Sequence, residues 1–120
     1  MILIFIGGGT GSVLRYVFSK TLNNYGLIPI GTFTANVIGS LLIGIILGLS
    51  SKSDLLTTNQ TLFLATGFCG GLTTFSTFAY ENHTFLKSND FFHFFLYSVL
   101  TFSIALIAIW AGLWLAKQLM

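Results

Sequence analysis

The segment from Gly67 to Glu81 places a Gly-Gly pair and a cluster of serine and threonine hydroxyls inside an otherwise apolar run. Glycine weakens a helix, and backbone that has lost its helical hydrogen bonds cannot face lipid. Such backbone persists at membrane depth only where it is buried in protein or lines a polar site. The segment therefore predicts a membrane-spanning helix that breaks at Gly70 and Gly71, at a place that holds or passes an ion.

The composition places the rest of the chain in the membrane as well. Of its 120 residues, 54% are hydrophobic and only 7% are charged, and 13 are phenylalanine. A soluble domain of this size is far less apolar. The basic side chains are scattered, without a cluster of the kind that binds nucleic acid. We predict an integral membrane protein without a nucleic-acid partner, whose first helix is retained because no basic leader precedes it.

Four apolar stretches lie near residues 2–22, 28–50, 60–86 and 91–117. About 20 apolar residues cross the hydrocarbon core as a helix, so each stretch is long enough to span. The polar segments between the stretches are short, and short connections join antiparallel neighbours. The sequence thus predicts an all-α membrane protein, a single domain (1–120) of four transmembrane helices with the third helix broken mid-membrane.

The loop charges bear on the orientation of these helices. Lys52 and Lys117 fall on one side of the membrane and Lys20 and Lys87 on the other, with Arg15 deeper in the first helix. Orientation follows an excess of Lys and Arg in cytoplasmic loops, and this chain has almost none. Two interpretations stay open at this point: insertion in both orientations, or a single orientation fixed by other factors. Four helices leave little room for a water-filled path, so transport would need an oligomer, and two inverted copies would form a two-fold dimer.

Polar side chains inside the spans are costly in lipid and are therefore candidates for function. Arg15 either lines an aqueous vestibule that attracts anions or extends its stem to the interface. Thr32, Asn36 and Ser40 recur every four residues and share one face of the second helix. Their neutral donors either replace part of an anion's hydration shell or bond across packed helices.

The fourth helix repeats this spacing with His93, Tyr97 and Thr101. The same two interpretations apply to it, and His93 lies near the start of its span, where an interfacial position is the simpler one. Small residues recur every four positions in the chain, as in Gly7 and Gly11, a pattern that favours close helix contacts.

The residues that follow the Gly-Gly pair carry further chemistry. Phe75 and Phe78 are three residues apart and so lie on one side of the restarted helix, where their positive ring edges can contact a dehydrated anion. Thr73, Thr74 and Ser76 are suitable caps for that half-helix, whose N-terminal amides also favour anions. The carbonyls freed between Gly70 and Thr73 favour a small cation instead.

The sequence gives no support for an enzyme. Two histidines and three acidic residues are widely spaced, and the single cysteine, Cys69, lies in an apolar run. These residues form no catalytic or side-chain metal constellation, and one cysteine cannot form an intrachain disulfide.

Three motifs together resemble the Fluc/CrcB fluoride channels. They are the stretches 8–16 (GGTGSVLRY), 31–40 (GTFTANVIGS) and 67–81 (GFCGGLTTFSTFAYE), of which the third is the most specific. The resemblance covers the whole chain. It implies a fluoride-selective channel that exports fluoride passively across the bacterial cytoplasmic membrane and reduces fluoride toxicity. It also implies an antiparallel, dual-topology homodimer in the lipid bilayer, with two pores and a central structural Na⁺.

The resemblance further assigns roles to individual residues. The carbonyls of Gly70 and Thr73 would hold the sodium ion on the dimer axis, and Arg15 corresponds to the vestibule arginine. The helix-four polar track looks short in this chain, because Ala105 lies one turn beyond Thr101. The predicted fluoride pore comprises Thr32, Asn36, Phe75, Ser76, Phe78, Tyr97 and Thr101.

Two other functions fit part of the sequence pattern. A small multidrug-resistance exporter is also a four-helix chain, but proton-coupled export needs a membrane-embedded acid in the first helix, where this chain has Arg15. A non-transporting assembly subunit would leave the break beside a polar track unexplained. Liposome flux discriminates among the three, as fluoride leak, proton-coupled cation uptake or neither.

Overall fold

The computed structural model describes residues 1–52 and 55–120, and all regular structure in these ranges is helical. Four segments are long and apolar enough to cross a membrane. They are α1 (Ile2–Leu22), α2 (Ile30–Lys52), a third span (Thr58–Lys87) and a last helix (Phe91–Leu119). The prediction of an all-α protein with four transmembrane helices is confirmed.

The helix ends differ slightly from the predicted ones. Helix α2 begins at Ile30 rather than near residue 28, because Pro29 biases the residue before it away from helical backbone. The third span begins at Thr58, where the Thr57 hydroxyl accepts the backbone N–H of Gln60 and the Gln60 side chain accepts that of Thr57. Of the predicted connection at 51–54, Ser53 and Asp54 lie outside the described residues.

The third span is interrupted, but not at the predicted residues. We call its first part α3 (58–72) and its second part α4 (Ser76–Lys87), and the last helix, Phe91–Leu119, is α5. Within α3, Leu62–Cys69 is π-helical, and the Gly70 N–H donates to the carbonyl of Ala65, five residues earlier. Helical backbone continues through Gly70–Leu72, and the chain becomes extended at Thr73 (φ −82°, ψ 154°). The prediction that the Gly-Gly pair itself breaks the helix was therefore wrong.

The glycines of α3 instead allow close packing against α1. A Cβ atom on Gly71 would collide with the Gly8 carbonyl, and one on Gly11 would collide with the carbonyl of Phe68. These helices touch backbone to backbone, which is the arrangement that small residues permit in membranes. Gly71 therefore serves helix packing, and the break falls beyond it.

Helices α2 and α5 form a second close contact, also through glycine. A Cβ atom on Gly44 would collide with the Ile109 carbonyl, and one on Gly48 would lie 2.6 Å from the Cβ of Ala116 and 3.6 Å from the Cα of Leu113. Residue numbers increase together along the two helices, so α2 and α5 run parallel, as the second and fourth spans of an up-and-down bundle must. The break in the third span lies beside this pair.

Candidate functional site

Asn36 of α2 binds the backbone at the break. Its Oδ1 accepts the N–H of Thr74 at 2.7 Å, and its Nδ2 donates to the Thr74 carbonyl at 3.1 Å. Asn36 is only 9% exposed, so its side chain replaces the helical hydrogen bonds that Thr74 lacks. An amide carries two N–H donors, and the second is left for another partner. Asn36 thus acts as a clamp on the broken backbone, and its role as an anion donor stays a prediction.

Arg15 of α1 contacts the other end of the break. Its Nε donates to the Gly71 carbonyl at 3.1 Å, and the Ser12 hydroxyl lies 3.5 Å from the same oxygen. Helices end with carbonyls that lack helical partners and carry partial negative charge, so a cation is favourable there. The guanidinium therefore stabilises the end of α3, a role that sequence reasoning missed. Attraction of anions by Arg15 stays a prediction.

Hydroxyl groups shape the turn between α3 and α4. The Thr73 hydroxyl donates back to the Cys69 carbonyl at 2.9 Å, and the Thr74 hydroxyl accepts the N–H of Thr77 at 3.2 Å. The Oγ of Ser76, an exposed residue, lies 3.4 Å from the Thr74 hydroxyl. Of the three predicted caps, Thr74 is the one that accepts an N–H of α4.

The two predicted pore phenylalanines lie side by side. Their ring centroids are 6.1 Å apart, and Phe75 is 79% exposed. Phe78 also packs on Tyr97 of α5, with centroids 5.1 Å apart. The rings thus continue from the exposed break toward the buried side of the bundle.

An open groove of about 530 Å³ runs along this surface. Its walls come from α2, the break, the start of α4 and the middle of α5. Each of these elements contributes polar or aromatic side chains to the groove. They include Asn36, Ser40, Thr74, Phe75, Phe78 and Thr101.

Thr101 contributes an unusual group to the groove. It is 7% exposed, and its Oγ1 is buried without a hydrogen-bond partner, a condition shared among the described residues only by Asn82 Oδ1. A buried hydroxyl without a partner is costly, and most such groups are satisfied in native proteins. This oxygen is therefore available to a partner that enters the groove.

Thr32 and Tyr97, also predicted to line the pore, both bind a carboxylate. The Thr32 hydroxyl donates to one oxygen of Glu81 at 2.7 Å, and the Tyr97 hydroxyl donates to the other at 2.8 Å. Both donors are fully buried, and Asn23 binds the Thr32 backbone N–H at 3.1 Å. Glu81 thus joins three spans, although the sequence analysis did not include it among the site residues. An acidic residue within a predicted span was the signal that pointed to it.

His93 lies at the start of α5, away from the groove. Its ring Nδ1 is 2.8 Å from Asp90, whose carboxylate also accepts the His93 backbone N–H at 3.2 Å. These hydrogen bonds hold the pKa of Asp90, in the connection before α5, below its ordinary range. The interfacial interpretation of His93 is the one that this placement favours.

The predicted sodium ligands present free carbonyls. Thr74 N–H, the natural helical partner of the Gly70 carbonyl, binds Asn36, and Thr77 N–H binds the Thr74 hydroxyl instead of the Thr73 carbonyl. Among the described residues, neither carbonyl accepts a hydrogen bond. Carbonyl oxygens suit hard cations, so these two fit a small cation. The described residues contain no cluster of three His, Cys, Asp or Glu side chains for a metal.

Comparison with known proteins decides the family. Residues 2–113 match the family model described as CrcB-like protein, Camphor Resistance (CrcB). The chain belongs to the CrcB-like family. This confirms the family that the three sequence motifs indicated.

Relatives of known name match over nearly the whole chain. Three of them are named fluoride-specific ion channel FluC. The one from Gloeothece citriformis is 41% identical over 98% of this chain and 97% of its own length. Those from Flavobacterium psychrophilum and Phocaeicola vulgatus are 44% and 39% identical, over 97% and 98% of this chain and 95% and 98% of their own lengths.

Proposed function

We propose that this chain is a fluoride-selective channel that exports fluoride passively across the cytoplasmic membrane of a bacterium and so reduces fluoride toxicity. The observation that carries the proposal is the end-to-end match to relatives named as fluoride-specific ion channels. A multidrug exporter is not favoured, because α1 carries Arg15 and no acid. Neither is an enzyme, since the relatives are ion channels by name.

The chemistry of the groove supports an anion path. Asn36 and Thr101 offer neutral donors, and Phe75 and Phe78 offer ring edges with positive potential. Such groups replace part of the hydration shell of a small anion without trapping it by full opposite charge. Fluoride therefore finds several weak partners in succession, which is what conduction requires.

The functional unit in this proposal is an antiparallel homodimer. The groove is open on one side of a single chain, with Phe75 79% exposed beside it, and a second copy would close it. Nearly equal loop charges allow both orientations. Labelling of single-cysteine variants at each terminus from both sides of a native membrane tests this arrangement, and one-sided labelling of every copy contradicts it.

A structural sodium ion on the dimer axis belongs to the same proposal. The free carbonyls of Gly70 and Thr73, two from each copy, match a small hard cation, which would supply positive charge where the broken helices meet. Thr73→Ala should leave sodium binding intact, because the carbonyl stays. A crystal structure in sodium should contain an ion about 2.2–2.5 Å from four oxygens. An axis filled by side chains would contradict this element alone.

Fluoride flux from proteoliposomes tests the function itself. Vesicles loaded with fluoride and chloride should release fluoride and retain chloride, as read by ion-selective electrodes. Phe75→Ile and Phe78→Ile keep apolar bulk and remove the ring edge, so each should slow fluoride release in a stable protein. Comparable loss of both anions from the wild-type vesicles would refute the channel proposal.

A further inference from the structure

The parallel packing of α2 and α5 sets their residues level with each other. Gly44 lies between Ile109 and Gly112, and Gly48 lies between Leu113 and Ala116, so each glycine of α2 is level with the α5 residues numbered 65 to 68 higher. Side chains four residues apart on a helix share a face, so the offset extends toward the break. We call each such pair a level. The next three levels pair Thr32 with Tyr97, Asn36 with Thr101, and Ser40 with Ala105.

Contacts support this register at the first two levels. Glu81 binds the hydroxyls of Thr32 and Tyr97 at the same time. Asn36 and Thr101 both line the groove. Each of these levels has a polar group from both helices.

The third level differs, because only one helix supplies a polar group there. Ser40 and Ala105 both line the groove, but Ala105 has no hydrogen-bonding side chain. The Ser40 hydroxyl makes no hydrogen bond among the described residues, although serine in a helix often bonds back to a carbonyl one turn earlier. On the level before it, the Thr101 hydroxyl is buried and without a partner. Two unpaired hydroxyls on successive levels thus open into one groove.

We propose that Ser40 of α2 supplies the anion-binding hydroxyl that α5 lacks at Ala105, so that fluoride passes from the Thr101 level to the Ser40 level. A hydroxyl in either position reaches the same part of the groove, because the two residues share a level. This inference rests on the proposed fluoride channel and adds a residue that binds the ion on its path. The hydroxyl donates one hydrogen bond to the anion and takes part in no proton transfer.

Three variants test this assignment in the fluoride-release assay. Ser40→Ala should slow release about tenfold, the effect of losing a hydrogen bond to a charged group. Adding Ala105→Ser to that variant should restore most of the rate, because the hydroxyl returns to the same level from the opposite helix. Ser103→Ala is the matched control, since Ser103 is an exposed residue of α5 outside the groove.

The outcomes separate this inference from the channel proposal. Wild-type vesicles that release no fluoride would overturn both. Fluoride release from the wild type with an equal rate for Ser40→Ala and Ser103→Ala would overturn the role of Ser40 alone. A slow Ser40→Ala variant that Ala105→Ser does not restore would overturn the equivalence of the two positions. Gel filtration of each variant, with an unchanged elution volume, shows that the rates belong to folded protein.

Discussion

Replacing Asn36 by leucine should destabilise the protein through the broken backbone rather than through lost packing. Leucine has the same number and branching of side-chain heavy atoms as asparagine, so the shape of the side chain is nearly kept. The substitution leaves both the N–H and the carbonyl of Thr74 without the partners that lie at 2.7 and 3.1 Å. Each unsatisfied group costs about 1–3 kcal/mol. Because Thr74 is only partly buried, we expect the lower part of that range, a total of about 2–4 kcal/mol.

The measurement is a titration of the detergent-solubilised protein with sodium dodecyl sulfate, followed by the fluorescence of Trp110 and Trp114. Thr34→Ala is the control, because Thr34 lies two residues away on a different face of α2. If Asn36→Leu unfolds at the same concentration as Thr34→Ala, the clamp on the break does not stabilise the fold and the reasoning fails.

Three further outcomes follow from the charged contacts. Arg15→Gln should reduce the free energy of unfolding by about 1 kcal/mol, and Arg15→Lys should reduce it less, because lysine keeps the positive charge. Equal stability of wild type and Arg15→Gln would contradict the contact with the end of α3. In the same titration, Glu81→Ala should reduce the free energy of unfolding by about 2–4 kcal/mol, because it leaves two buried hydroxyls without an acceptor. Tyr97→Phe should reduce it less. The lowered pKa of Asp90 stabilises the folded state above its ordinary value of 3.8, and this stabilisation is lost as the pH falls through the lowered pKa. Asp90→Asn should remove that part of the pH dependence below about pH 4, and an unchanged profile would exclude it.

The sequence predicted the spans well because their signal is hydrophobic length, which a bilayer imposes on each helix separately. The break was predicted in the correct span but placed at Gly70 and Gly71, whereas the extended backbone begins at Thr73. A Gly-Gly pair is ambiguous in a sequence, because glycine occurs both where a helix breaks and where two helices pack closely. Only the packing partner on α1 separates the two uses.

For the candidate site, the sequence indicated which polar side chains lie within the spans but not which groups they contact. The sequence indicated Asn36, Thr32 and Tyr97 as polar groups within the spans, but not what they bind. Their partners are the backbone of Thr74 and the carboxylate of Glu81, and both contacts join residues far apart in the chain. Periodicity reports which face of a helix a residue shares, and it carries no information about the neighbouring helix.

The glycine contact between α1 and α3 has a consequence for the thermodynamics of assembly in lipid. Gly8, Gly11 and Gly71 have no side chains, so bringing the two helices together there orders no rotamers. In a bilayer, where lipid tails are as apolar as leucine and offer no hydrophobic driving force, an association with so little entropy to lose is favoured. The part of the chain that carries the break is thus held on a surface that needs no side-chain ordering to form.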